Sequence, residues 1–160
     1  MKRAIVPGTF DPVTEGHLDV IRRASQIFGE VVVAVAESPG KGPLFSHEER
    51  VELVRQSTAD MPNVGVEPFD GLLVEFAQSR GPSVVVKGLR AITDFEYEFQ
   101  MNALNYELSN EIETLFIMSP PKFMYLSSSV VKEIARLGGA FSQFVTPCVE
   151  EALVRKFGRG

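Results

Sequence analysis

Pro7-Gly8-Thr9-Phe10-Asp11-Pro12-Val13-Thr14-Glu15-Gly16-His17 follows a short apolar run, Arg3 to Val6, and leads straight into a segment of helical period. Gly8 permits a tight exit from a strand, two prolines stiffen the loop, and Gly16 lets the chain turn closely into the helix. A strand, a stiff loop and a helix start in succession make the first unit of an α/β fold, and the free N–H groups of the helix favour an anion. Thr9 and His17 add side-chain donors beside them. The sequence contains neither G-x-x-x-x-G-K-[ST] nor G-x-G-x-x-G, so a kinase-type phosphate loop and a dinucleotide fingerprint are both unsupported.

Outward from this stretch, five β-rich runs are expected at Lys2 to Val6, Glu30 to Ala36, Asn63 to Pro68, Ser83 to Gly88 and Thr114 to Met118. Helix-period segments separate them. Leu18, Ile21, Ala24 and Phe28 share one face of the first helix, with Val20 and Ile27 beside them. Ser46-His47-Glu48-Glu49 predicts a capping box, Thr93-Asp94-Phe95-Glu96 predicts another ahead of a helix to about Leu108, and Asp70 is placed to cap a helix carrying Leu73, Phe76 and Ala77. Thr146-Pro147 predicts a cap followed by proline at the first helical position. Strands alternating with helices at this spacing imply right-handed crossovers, hence a doubly wound, Rossmann-like α/β fold: five parallel strands with helices on both faces.

The 160 residues, 44% of them hydrophobic, suit a single domain over 1–160 with a substantial core. Sixteen basic against 21 acidic residues give a net charge of -5, which argues against a broad nucleic-acid or anionic-membrane surface, so any anion site must be local. Apolar runs such as Val31 to Ala36 are far below the ~20 residues of a membrane span. Only three apolar residues separate Arg3 from Pro7, which gives no signal-peptide core and makes the cytoplasm the expected location. Cys148 is the one cysteine and reads as a packing residue. A zinc site is not expected, since the second histidine, His47, lies in a polar helix start.

Open parallel sheets bind ligands beyond the carboxyl ends of their strands. Thr9 and His17 follow the first strand, Lys41 the second, Lys87-Gly88-Leu89-Arg90 the fourth, and Ser127-Ser128-Ser129-Val130-Val131-Lys132 the fifth. Lys41 alone reads as a solvated loop charge, and Lys87 as a strand-terminating one; together they make four loops rich in anion binders at one edge. Three serines at a helix start suit a polyphosphate. No serine or cysteine sits with a base in a recognisable motif, and no carboxylate pair has a hydrolase-like setting. Phosphoryl and nucleotidyl transfer fit better, because they ask for positioning and charge stabilisation, and His17 then stabilises rather than deprotonates.

Thr14-Glu15-Gly16-His17 with Ser127-Ser128-Ser129-x-x-Lys132 resembles the paired signatures of the nucleotidyltransferase superfamily. Pro7 to Pro12, Lys87 to Arg90, Asp94-Phe95-Glu96-Tyr97-Glu98 and the serine triplet, in this order, more narrowly resemble the bacterial phosphopantetheine adenylyltransferase family. That resemblance implies adenylyl transfer from ATP, accompanied by magnesium, to 4'-phosphopantetheine, giving dephospho-coenzyme A and pyrophosphate. It implies catalytic roles for His17, Lys41 and Arg90, and acceptor binding by Thr9, Lys41, Leu73 and Lys87. ATP would contact Thr9, Phe10, His17, Gly88, Leu89, Arg90, Glu98, Phe123, Met124, Tyr125, Leu126, Ser127, Ser128 and Ser129, with no protein ligand assigned to a metal. Phe123 to Leu126 read equally well as loop packing, and Glu98 on its own reads as a solvated residue or an ion-pair partner. Coenzyme A feedback and a homohexamer are further implications. The aromatic residues from Phe95 to Tyr106 read as an oligomer face or as ordinary core. The alternatives are a related nucleotidyltransferase with another phosphate acceptor and a non-catalytic ATP-binding sensor.

Overall fold

The computed structural model describes residues 2–81 and 83–158, except for the side chains of Ile92 and Thr93. Met1, Pro82, Arg159 and Gly160, part of the expected domain, lie outside the described residues. The elements run β1 (Arg3–Gly8), α1 (Glu15–Ile27), β2 (Glu30–Ala36), α2 (His47–Ser57), β3 (Val64–Phe69), α3 (Leu73–Ser79), β4 (Ser83–Leu89), α4 (Ile92–Leu108), β5 (Glu113–Met118), α5 (Ser128–Leu137) and α6 (Pro147–Phe157). The strands form one sheet in the order β3-β2-β1-β4-β5, with every neighbouring pair parallel. The doubly wound expectation is met.

Strand alternation divides the core. Ala4, Val6, Val31, Val33, Val35 and Val86 face one side and pack with Leu18, Ile21 and Ala24 of α1, Val54 of α2, Val131 of α5 and Leu153 of α6. Ile5, Val32, Ala34 and Val85 face the other, against Val74 and Ala77 of α3. Ile21 is fully buried, and its truncation to alanine costs roughly 2–5 kcal/mol. Ile27, expected beside that face, is instead exposed. Close approach makes Gly88 obligatory, because a Cβ there would lie 2.8 Å from Val20 Cγ2 of α1.

The register explains where a ligand fits. β1 and β2 pair along their length, from Arg3↔Glu30 to Gly8↔Val35, whereas β1 and β4 pair only from Arg3↔Ser83 to Ile5↔Val85. Beyond Ile5 and Val85 the two strands part. This is also where the chain order reverses, with β2 and β3 on one side of β1 and β4 and β5 on the other, so a crevice opens at the carboxyl ends.

Helix starts followed the sequence in some places and departed from it in others. Ser46 and Glu49 form the expected reciprocal box on α2. Thr146 occupies the N-cap of α6 before Pro147, but its hydroxyl meets Ser57 Oγ at 2.8 Å rather than a backbone N–H of its helix. Cys148 packs beside that pair. Asp70 does not cap α3: Gly71, at φ +74°, turns the chain first and Leu72 is the N-cap. α4 starts at Ile92 after an Ala91 N-cap without a side-chain bond, so the expected Thr93–Glu96 box falls inside the helix.

Candidate active site

The crevice widens into a cavity of about 690 Å³ walled by residues at or beyond the carboxyl ends of all five strands. Thr9, Phe10, His17, Lys41, Leu73, Lys87, Gly88, Arg90, Glu98, Leu126, Ser127, Ser128 and Ser129 all line it. Four residues expected near ATP do not: Leu89, Phe123, Met124 and Tyr125 are absent from the wall. Phe123 packs against the core with Lys122 over its ring, and Tyr125 is 84% exposed.

His17 is held by its own helix. α1 begins at Glu15 with Thr14 as N-cap, which puts Gly16 inside the first turn rather than before the helix. Thr14 Oγ1 accepts the His17 N–H at 3.4 Å, and the Thr14 N–H donates to His17 Nδ1 at 3.0 Å. This is a reciprocal box with histidine in the place usually held by glutamate or glutamine. Because a backbone N–H can only donate, Nδ1 must be bare, and the neutral ring carries its proton on Nε2. Burial, aided by the charge of Arg90, pushes the imidazole pKa down from 6.5 to about 4. The ring is therefore a neutral Nε2–H donor at physiological pH. Phe10 buttresses it edge-on, with centroids 5.0 Å apart, from a backbone at φ +51° that costs an aromatic residue on the order of 1–3 kcal/mol. A Cβ on Gly8 would sit 2.9 Å from the Phe10 ring, so glycine is required beneath it.

The cations are oriented in advance. Lys41 Nζ donates to Thr9 Oγ1 at 3.3 Å, and that hydroxyl also meets Ser38 Oγ at 3.1 Å. Arg90 donates from Nε to Asp94 at 3.0 Å and from Nη1 to the Leu126 carbonyl at 2.6 Å, which ties the β4 exit to the chain before α5. Lys87 Nζ donates to Glu98 at 2.8 Å. Ser127 Oγ accepts the Val130 N–H and caps α5, while Ser128 Oγ donates to the Pro12 carbonyl. Of the three serine hydroxyls one thus caps the helix and one fastens it to the loop after β1, while that of Ser129 makes no hydrogen bond within the described residues. Neutral and cationic donors along the crevice suit an extended, multiply charged anion.

Residues 5–134 match the cytidylyltransferase-like family model. The phosphopantetheine adenylyltransferase of Caldanaerobacter subterraneus subsp. tengcongensis is 54% identical over 98% of each chain. That of Nitrosospira multiformis is 54% identical over 98% of this chain and 94% of its own. The chain belongs to the phosphopantetheine adenylyltransferase family. A Vibrio parahaemolyticus structure described as a nicotinate-nucleotide adenylyltransferase superposes with a TM-score of 0.69 over 96% of this chain and 99% of its own at 22% identity, a likeness of fold.

Two side chains of this phosphopantetheine adenylyltransferase family member, Asp11 and Arg50, hold the site without having been given a role in the sequence, and Lys132, named there among the anion binders, serves Asp11 instead. Asp11 accepts from the Leu44 and Phe45 N–H groups, both at 2.9 Å, and from Lys132 Nζ at 2.7 Å. Burial pushes its carboxyl up, but the lysine and the two N–H groups outweigh that and leave it below the ordinary value. The lysine of the Ser-Ser-Ser-x-x-Lys motif therefore fastens α5 to the loop after β1. Arg50, 1% exposed, donates only to backbone carbonyls among its hydrogen bonds in the described residues: Phe45, Thr9, Ala36 and Glu37. A signal for Arg50 was present, because it falls on the same helical stripe as Leu53, Val54 and Ser57 and so occupies a core position of α2.

Proposed function

We propose that this chain transfers the adenylyl group of ATP to 4'-phosphopantetheine, giving dephospho-coenzyme A and pyrophosphate in coenzyme A biosynthesis. The observation that carries the reading is 54% identity, over nearly the full length of both chains, to phosphopantetheine adenylyltransferases. It outweighs a different acceptor or a non-catalytic sensor.

A phosphate oxygen of phosphopantetheine attacks the α-phosphorus of ATP. The new P–O bond forms as the bond to the β-phosphate oxygen breaks, and pyrophosphate leaves with that electron pair. The nucleophile is already ionised and needs little help from a general base. His17 donates its Nε2–H to the α-phosphate, strengthening as charge develops, a role supported by the occupied Nδ1. Arg90 and Lys41 balance the same charge. Thr9, Lys41 and Lys87 receive the acceptor phosphate, with Leu73 along the pantetheine arm. Phe10, Gly88, Glu98 and Leu126 to Ser129 face the nucleotide. Leu89 completes the nucleotide contacts, and Phe123 to Leu126 enter only as backbone positions.

Magnesium enters as the ATP complex. The carboxylates on the cavity wall, Asp11, Asp94 and Glu98, are each held by a cation, which favours an ion carried on triphosphate oxygens over one caged by the protein. The site lies in what we take to be a cytoplasmic homohexamer under coenzyme A feedback. Phe95, Phe99 and Tyr106 fall on one side of α4 and are each more than half exposed, an apolar face that assembly would cover. Among the described residues no helix is long and apolar enough to cross a membrane.

Pyrophosphate release from ATP and magnesium, with and without 4'-phosphopantetheine, tests the reaction, with nicotinamide mononucleotide and glycerol 3-phosphate as comparison acceptors. Release only with phosphopantetheine is expected. Release with another acceptor, or ATP binding without release, would overturn the reading.

A further inference from the structure

We propose that Arg50 is a positioning residue for the acceptor half of the site: one buried guanidinium fixes the separation between Thr9 and the arch that carries Lys41. The inference rests on the acceptor-phosphate reading above and assigns a residue that would touch neither substrate.

The arch runs from Glu37 to Phe45. It leaves β2 through Ser38 at φ +47°, makes a single 3-10 turn over Pro39–Lys41 and leaves it through Gly42 at φ +57°. Both of its feet stand on Arg50. Nη1 donates to the Ala36 carbonyl at 2.6 Å and Nη2 to that of Glu37 at 2.7 Å, at the first foot. Nε donates to the Phe45 carbonyl at 3.2 Å, at the second. Nη1 also donates to the Thr9 carbonyl at 2.8 Å, so the residue whose hydroxyl receives Lys41 Nζ is tied to the same group. Asp11 reinforces the second foot through the Leu44 and Phe45 N–H groups.

Only a planar fork with several fixed donors can join three chain segments in this way. A lysine at the same position offers a point charge on a flexible stem and reaches one or two of the four carbonyls, leaving the rest unsatisfied. Loss of the tether leaves the cations chemically intact but removes their fixed spacing.

The test compares Arg50→Lys, Lys41→Ala and the double variant, each purified and checked for native circular dichroism, with KM for both substrates and kcat measured separately. Arg50→Lys is expected to raise the phosphopantetheine KM by roughly tenfold, while the ATP KM moves by less than about threefold. Added to Lys41→Ala, it should raise the acceptor KM little further, because both changes act on one group. A merely structural role would lower kcat through the folded fraction and leave both KM values alone; that result, or additive effects, overturns the proposal. If Arg50→Lys fails to fold, Arg50→Gln is read in the same way, and failure of both to fold would assign Arg50 to folding alone and overturn it too. An unchanged acceptor KM in Lys41→Ala would instead sink the acceptor-site reading, and this proposal with it.

Discussion

Lys87 Nζ and Glu98 Oε2 lie 2.8 Å apart on the cavity wall, and both side chains are mostly withdrawn from water. The first lies in β4 two residues before its end, not at its terminus as expected, and is assigned to the acceptor phosphate; the second is the seventh residue of α4 and is assigned to ATP. Each is thus the counter-ion of the other before either substrate arrives. The reading of Glu98 as an ion-pair partner and its reading as a nucleotide contact are compatible, and the pair ties β4 to α4 at the cavity wall.

Lys87→Ala should weaken phosphopantetheine far more than ATP, because it removes a phosphate contact. The pairing adds a second effect: Glu98 is left in a partly buried place without its cation, which costs on the order of 1–3 kcal/mol of stability. Chemical denaturation alongside steady-state kinetics checks both. An ATP constant that moved more than the acceptor constant would contradict the division of the site, and restored stability in Lys87→Ala/Glu98→Gln would confirm the source of the loss.

His17→Ala should leave ATP affinity nearly unchanged and lower turnover by roughly a hundredfold to a thousandfold, the loss typical of one transition-state donor. His17→Asn and His17→Gln keep an N–H donor and should recover part of the rate if they reach the same oxygen. Turnover within threefold of the parent in His17→Ala would remove the residue from the mechanism.

Asp11→Asn should destabilise the protein by about 3 kcal/mol, since the amide oxygen cannot serve Leu44, Phe45 and Lys132 together and the lysine loses its counter-charge. For a chain of this size that corresponds to a fall in Tm on the order of 10 °C. Thermal unfolding measures it directly. The Asp11 carboxyl is held below its ordinary value of 3.8, so its stabilising contribution is present above that pH and fades as pH falls through the folded-state value.

Periodicity placed the five strands to within a residue or two at their ends, because burial on both faces leaves parallel strands as short continuous apolar runs. The anion binders that gather in the cavity were legible for a similar reason, since strand ends in a parallel sheet must meet on one edge, whereas Leu73 and Glu98 came only from the family resemblance. Contacts across the fold were not. Nothing local pairs Lys132 with Asp11, 121 positions earlier, and nothing in a strand pattern says that β1 and β4 separate after Ile5. The box that fixes His17 was hidden by its chemistry, since the usual template has a carboxylate or amide in the third place, and that substitution is what turns a helix cap into a clamp on the imidazole.

The same clamp predicts an unusual pH response. Free histidine gains its proton near 6.5, whereas folded His17 stays neutral down to about 4. The folded value is depressed, so between these limits the unfolded chain binds a proton that the native protein refuses, and stability falls as the solution is acidified through that window. The shift from 6.5 to about 4 amounts to roughly 3 kcal/mol, fully present above 6.5 and lost by about 4. Denaturant unfolding of the parent and of His17→Gln across this range isolates it, because the carboxylates common to both cancel in the difference. By the same argument, turnover should carry no inflexion from His17 near 6.5, and its ring resonances should keep neutral shifts at pH 5.5. A His17 titration centred near 6.5 in the folded protein would mean that Nδ1 is free to take a proton, and would undo both the tautomer and its role as a neutral donor.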